Sequence, residues 1–146
     1  MKIYVADLSL DLILKYAQLF PERKINVLRS FGNLGKDERG ICITHRDKIN
    51  SLILDSGTYT LNFAKNPGLN ISVDTYEAYL LAFGQDYDLY FNFDSDFSKN
   101  GFTTNNEHQR RLERAGLNPV PVIHDIYGDE VEYYPGLCSK NWCKSG

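Results

Sequence analysis

The chain has 146 residues, of which 42% are hydrophobic and 24% charged, which is typical of one globular domain with an apolar core. The net charge of -3 gives no electrostatic basis for nonspecific binding to a nucleic-acid backbone. No apolar run reaches the length of a membrane span, and the N-terminal stretch "MKIYVADLSLD" lacks the features of a signal peptide. We therefore expect a single cytoplasmic domain over residues 1–146 with no membrane partner.

The cysteines give little indication of a metal or a disulfide. There are three of them, Cys42, Cys138 and Cys143, and an odd number without a secretory signal argues against a disulfide framework. Cys138 and Cys143 lack a second Cys/His pair that would complete a zinc site. We expect ordinary thiols and no bound metal or cofactor, with a zinc role for Cys138 and Cys143 as the alternative.

The first part of the chain alternates a strand, a helix and a second strand. Residues Met1–Ala6 are β-rich, and a helix follows with Ser9 as its N-cap and Pro21 at its end. A second strand is predicted over Ile25–Phe31. The loop at residues 32–40, "GNLGKDERG", combines glycines with charges, so we expect it to be exposed.

The middle of the chain predicts a second strand–helix–strand unit. The continuous apolar run in Ser51–Asp55 is typical of a parallel strand that is covered on both faces. Asp74 and Glu77 have the spacing of a capping box, which predicts a helix that Gly84 ends. Tyr87–Asp94 is then predicted as the fourth strand.

The last predicted elements are a helix and a fifth strand. Thr104 is the expected N-cap of a helix over Asn105–Ala115, with Gly116 ending it. Residues 118–125 predict a strand, and residues 127–146 form a tail without a helical or strand period. The alternation predicts an α/β fold with a parallel sheet. Because a full (β/α)8 barrel of TIM type takes about 250 residues, we expect an incomplete barrel of about five βα units, or else a small open sheet.

Polar side chains recur where the predicted strands end. Asp55, Asp94 and the pair His124–Asp125 each stand at the C-terminal end of a strand. In parallel α/β folds this edge of the sheet carries binding and catalytic groups. Three strands that end in the same way therefore predict a site at this edge.

The motifs at these positions resemble those of the tRNA-guanine transglycosylase superfamily. They are "LILDSGTYT", "YFNFDSD" and "TTNNEHQRRLERAGLNPVPVIH", and the opening "MKIYVA" also fits. The nearest pattern is that of the compact branch found in phages and in 7-deazaguanine DNA-modification systems. The resemblance covers about residues 1–126, the N-terminal part of such a protein.

The resemblance implies a TIM-type barrel that replaces guanine with a 7-deazaguanine, as in queuosine formation, on tRNA or DNA. It implies that Asp55 lies in the base pocket as the catalytic group for proton transfer or base binding, and that Asp94 pairs with the base edge. The expected ligand is thus a purine or 7-deazapurine base.

Further binding roles are predicted from residue chemistry around these two aspartates. Ser56 and Gly57 would shape the backbone near the ligand, since glycine permits close approach. Tyr59 is a candidate for stacking on a base. Asp96 and His124 are the remaining candidates for substrate contacts.

Two alternatives stay open at the level of sequence. The nucleophilic aspartate of the superfamily comes from a late barrel strand that this chain does not include, so we expect the chain alone to be incomplete and inactive in base exchange. One alternative is a metal-dependent TIM-barrel hydrolase with Asp55, Asp94 and His124 as ligands. The other is a non-catalytic half-barrel that binds a purine or pairs with another copy as a homo-oligomer.

Overall fold

A parallel sheet runs through the centre of the fold. The structure is a computed structural model that describes residues 2–35, 38–63, 71–127 and 130–134. Within these residues, four parallel strands pair in the order of the chain. They are β1 (Val5–Ala6), β2 (Ile25–Ser30), β3 (Ile49–Asp55) and β4 (Leu89–Tyr90). The expected α/β class with a parallel sheet is therefore confirmed.

The strand register aligns the C-terminal ends of β2 and β3. Ser30 pairs with Asp55, and Leu54 pairs with Tyr90 one strand further along. The predicted fifth strand is present only as a single parallel bridge between Phe91 and Val120. Its two flanking prolines remove backbone donors, which explains why regular pairing does not extend.

Five α-helices surround the sheet in the described residues. They are α1 (Leu10–Leu19), α2 (Thr58–Phe63), α3 (Val73–Phe83), α4 (Phe102–Arg114) and α5 (Glu130–Tyr133). The N-cap of α1 is confirmed, because the Ser9 hydroxyl accepts a hydrogen bond from the N–H of Leu12. Helix α5 falls in the tail that was expected to be irregular, and that prediction is wrong for Glu130–Tyr133. The predicted features at residues 135–146, including Cys138 and Cys143, lie outside the described residues.

The predicted caps of α3 and α4 are wrong. Helix α3 is capped by Ser72, whose side chain and that of Thr75 form a reciprocal capping box. Asp74 lies inside the first turn and forms an ion pair with Arg111 instead. Helix α4 begins at Phe102, so Thr104 lies within the helix rather than at its start. For α3 the sequence offers two polar caps, Ser72 and Asp74, and the helix uses the earlier one, whereas α4 starts after Gly101, which makes no side-chain cap hydrogen bond.

The core lies on both faces of β3. Leu52 and Leu54 are fully buried and Ile53 is 6% exposed, which confirms the prediction of a strand covered on both faces. The core also contains side chains from β2, the helices and the connecting turns: Ile13, Val27, Ile41, Cys42, Ile49, Tyr76, Leu80, Tyr87, Phe93 and Leu112. The end of β3 is thereby held rigidly at Asp55.

The loop after β2 was expected to be exposed, and part of it is buried instead. Glu38, in the loop that was predicted to be exposed, is 4% exposed and accepts hydrogen bonds from Arg29 Nε and from the Tyr87 hydroxyl. The Arg29 guanidinium also places its Nη2 2.7 Å from the carboxylate. Burial raises the pKa of the neighbouring Cys42 thiol to about 11. The loop is thus anchored by a buried ion pair between Glu38 and Arg29, while Asp7 is a second, more distant carboxylate 3.9 Å from Nη1 of Arg29.

Among the described residues, no helix is long and apolar enough to cross a membrane.

Candidate functional site at the carboxyl edge of the sheet

Polar side chains gather where the parallel strands end. We call this region the carboxyl edge. Its members end or follow β1, β2, β3, β4 and the Val120 bridge: Asp7, Ser30, Asp55, Ser56, Asp94 and His124. The sequence predicted the last four as site residues. Their proximity follows from parallel strands, which bring their C-terminal ends to one side of the sheet.

Asp94 is the centre of a hydrogen-bonded cluster. Its Oδ1 accepts a hydrogen bond of 2.8 Å from the Ser56 hydroxyl and one of 3.0 Å from the Thr58 hydroxyl. Its Oδ2 lies 3.2 Å from Nε2 of His124. Ser56 and Thr58 are 0% and 2% exposed, so these contacts are shielded from water. Both carboxylate oxygens of Asp94 are therefore engaged by protein groups.

Asp55 has a different environment. Its Oδ2 accepts a hydrogen bond of 2.9 Å from the backbone N–H of Gly57, the backbone N–H of Ser56 also stabilises the carboxylate, and the described residues form no geometric hydrogen bond to its Oδ1. Burial raises the pKa of this carboxyl, and the negative charges of Asp94 and Asp7 raise it further. Asp55 is thus a fixed, half-buried carboxyl with one oxygen available to a ligand.

Gly57 allows two strand ends to approach each other. Its φ of +76° lies in the left-handed region, and a Cβ at this position would lie 2.5 Å from the backbone nitrogen of Gly32. No other residue type fits both conditions without displacing backbone. The glycine therefore sets the position of the N–H that holds Asp55.

Asp7 is a member of the carboxyl edge that sequence reasoning missed. Its carboxylate accepts hydrogen bonds of 3.0 Å from the N–H of Ser30 and from the side-chain amide of Asn33. Its backbone adopts a positive φ of 49°, which aspartate tolerates better than most residues. The signal was present, because Asp7 directly follows the first predicted strand, much as Asp55 ends the third.

Asp96 is oriented toward its own loop. Its carboxylate accepts a hydrogen bond of 2.9 Å from the N–H of Ser98, and its backbone N–H and C=O are both bound by the Asn105 side chain. Hydrogen bonds from Ser98 lower the pKa of Asp96. The described contacts assign Asp96 to bracing the connection into α4 rather than to the Asp94 cluster.

Aromatic side chains flank the carboxyl edge. Tyr59, on the exposed side of α2, is 66% exposed, and Phe97, in the loop after β4, is 37% exposed. The ring of Phe97 packs edge-on against His124, with centroids 4.9 Å apart. The Phe97 ring therefore lies beside the polar cluster, where an unstacked base would find apolar surface.

A groove of about 480 Å³ lies at the opposite end of the sheet, before β4. Leu80, Leu81, Tyr90 and Leu117 contribute to its largely apolar wall. The Tyr90 hydroxyl accepts a hydrogen bond from the N–H of Asn118, so it is already engaged. The groove lacks the carboxylate and imidazole groups that make the carboxyl edge chemically distinctive.

The arrangement does not support the metal-dependent alternative. Within the described ranges, no group of three or more His, Cys, Asp or Glu side chains could hold a metal ion. His124 contacts Asp94, but Asp55 instead binds the N–H of Gly57. In the described residues the three side chains therefore do not form such a group.

Comparisons with known proteins add no family assignment. The chain matches no protein-family model, and neither the curated proteins nor the solved structures include a significant match to it.

Proposed function

We propose that the carboxyl edge binds a purine or 7-deazapurine base, with Asp55 accepting hydrogen bonds from the donor edge of a guanine-type base. The observation that carries this proposal is the carboxylate of Asp55, which is fixed on one oxygen by Gly57 and open on the other. The N1–H and the exocyclic amine of guanine are adjacent donors, and a carboxylate is an acceptor that suits them. Tyr59 and Phe97 are exposed aromatic side chains in the segments that follow Asp55 and Asp94.

The contacts of Asp94 support a bracing role rather than a second base contact. Its oxygens accept from Ser56 and Thr58 and contact His124, so few acceptor positions remain for a ligand. Base exchange on tRNA or DNA, which the resemblance implies, needs a nucleophile at the sugar. An engaged Asp94 does not provide one. We therefore propose base binding, rather than complete transglycosylation, for the described residues.

The strand order supports the proposed barrel architecture. In the described sheet, parallel strands follow one another in chain order, with helices between them. Doubly wound sheets reverse direction at a switch point, whereas a (β/α) barrel adds each strand beside the last. An incomplete TIM-type barrel is thus the proposal that agrees with this order.

The test is a titration of the protein with guanine, 7-deazaguanine and adenine by calorimetry. We expect guanine and 7-deazaguanine to bind and adenine to bind more weakly, because adenine presents an acceptor at N1. Asp55→Asn should weaken guanine binding by roughly 10- to 100-fold, the effect of losing a charged hydrogen bond. Equal affinity in the variant and the parent chain, or no binding of guanine by the parent chain, would contradict the proposal.

Asp88→Asn is the matched control. Asp88 lies at the other end of the sheet, where its Oδ2 accepts a hydrogen bond of 2.8 Å from the N–H of Leu52. Its second oxygen pairs with Arg46 near the surface. The substitution removes the same charge from the same sheet, so guanine affinity should not change.

A further inference from the structure

Asp7 holds the turn that follows β2 at both of its ends. Its Oδ1 accepts a hydrogen bond of 3.0 Å from the backbone N–H of Ser30, and its Oδ2 accepts one of 3.0 Å from the side-chain amide of Asn33. The φ of 49° at Asp7 turns the chain at the end of β1, where the Asp7 N–H donates to the carbonyl oxygen of Leu28. The carboxylate therefore closes residues 30–33, which we call the β2 turn.

The β2 turn lies directly against Gly57. A Cβ added to Gly57 would lie 2.5 Å from the backbone nitrogen of Gly32 and 3.0 Å from the hydroxyl oxygen of Ser30. Ser30 is also the register partner of Asp55 in the neighbouring strand. Because packed backbone leaves no space between the β2 turn and Gly57, the position of one determines the position of the other.

Gly57 connects the β2 turn to Asp55, since its N–H donates the hydrogen bond of 2.9 Å that holds the Asp55 carboxylate. We propose that Asp7 is a positioning residue for Asp55: it holds the β2 turn against Gly57, and Gly57 orients the carboxylate toward the ligand. The effect on ligand affinity rests on the proposed base binding, whereas the hydrogen bond of Gly57 can be followed without any ligand.

The charge of Asp7 and its hydrogen bonds have opposite effects on Asp55. Burial raises the pKa of Asp55, and the negative charges of Asp94 and Asp7 raise it further. Removing the charge of Asp7 would favour the ionised form of Asp55, which is the form that accepts hydrogen bonds at both oxygens. A loss of guanine affinity in an uncharged variant at this position would therefore come from the hydrogen bonds and not from the charge.

The experiment exchanges the side chains of Asp7 and Asn33. Asp7→Asn keeps the size of the side chain and an acceptor for Ser30, and asparagine tolerates a positive φ. Its amide, however, then faces the amide of Asn33, donor against donor. Asn33→Asp alone brings two carboxylates together. The double variant restores the hydrogen bond with donor and acceptor exchanged.

Two measurements are made on each variant: the amide NMR resonance of Gly57 without ligand, and the affinity for guanine by calorimetry. The resonance reports the hydrogen bond of Gly57 to Asp55. We expect each single variant to shift this resonance and to weaken guanine binding by roughly two- to tenfold, the effect of one hydrogen bond. The double variant should restore the resonance and bind guanine within about twofold of the parent chain.

Asp88→Asn is the control for a general loss of stability. Asp88 also accepts a hydrogen bond from a strand N–H, that of Leu52, and pairs with Arg46, but at the other end of the sheet. The substitution should leave both the Gly57 resonance and the affinity for guanine as they are in the parent chain.

The proposal is overturned if Asp7→Asn leaves the Gly57 resonance or the affinity for guanine unchanged, if it strengthens guanine binding, or if the losses of the single variants add in the double variant. If the single variants do not fold, a double variant with the parent resonance supports the proposal, and one that also does not fold overturns it. If the parent chain binds no guanine, the proposed function fails, and the Gly57 resonance still decides whether Asp7 positions Asp55.

Discussion

The substitution Gly57→Ala tests how the carboxyl edge is built. The residue has a φ of +76°, and an added Cβ would lie 2.5 Å from the nitrogen and 3.0 Å from the Cα of Gly32. Both groups belong to backbone at the ends of adjacent strands, so neither can rotate away. Displacing them would also move the N–H that holds Asp55.

The loss of stability expected for Gly57→Ala has two contributions. The left-handed backbone costs an alanine about 1–2 kcal/mol relative to glycine. The overlap with Gly32 resembles overpacking in a core, which costs about 1–3 kcal/mol. The free energy of unfolding should therefore fall by about 2–5 kcal/mol, a large fraction of the stability of a small domain.

Other glycines isolate these contributions. Gly116 has a φ of +84° and nothing within 4 Å of an added Cβ, so Gly116→Ala should lose only the free energy that a left-handed backbone costs an alanine. Gly101 has an ordinary φ of -64°, but its Cβ would overlap the carbonyl oxygen of Asp96, so Gly101→Ala reports the steric term. Gly35 lies in open space, and Gly35→Ala should be nearly neutral.

Chemical denaturation measures the free energy of unfolding of all four variants. We expect Gly57→Ala to lose more stability than Gly116→Ala, Gly101→Ala to lose stability through its overlap with Asp96 alone, and Gly35→Ala to lose almost none. If Gly57→Ala is no more destabilising than Gly116→Ala, the close approach to Gly32 is not present in the protein. The account of how Asp55 is positioned would then be wrong.

Two further predictions concern charges. Burial raises the pKa of Asp55 in the folded state, so the folded chain retains that proton to higher pH and this group's contribution to stability is lost as pH rises above about 4. Asp55→Asn should consequently raise the melting temperature at pH 7 and give no gain below pH ~4; a constant gain at every pH would refute this cause. Glu38→Gln removes the nearest counter-charge of buried Arg29, with Asp7 3.9 Å away as the remaining carboxylate, so it should cost about 3–5 kcal/mol in chemical denaturation. Replacing both, as Arg29→Met with Glu38→Leu, should recover most of that loss, and additive losses in the double-mutant cycle would contradict the pairing.

Local sequence patterns predicted helix ends correctly where one short-range interaction determines the end. The N-cap Ser9 and the end of α3 at Gly84 were predicted correctly, because each depends on hydrogen bonds within one helical turn. The start of α3 was not, since Ser72 and Asp74 are both good caps and only packing chooses between them. Glu38 was misplaced for a related reason: a charge in a glycine-rich loop is usually exposed, and its partner Arg29 lies on a separate strand.

At the carboxyl edge, too, some features follow from the sequence and others only from the tertiary structure. The sequence by itself predicted parallel strands with Asp55, Asp94 and His124 at one shared edge, because strands and helices alternate along the chain; the structure ends β3 at Asp55 but ends β4 at Tyr90, before Asp94. The tertiary structure decided that Asp94 is engaged by Ser56, 38 residues away, while Asp55 keeps an open oxygen. A hydrogen bond between distant residues depends on the register and twist of whole strands, which no local pattern encodes.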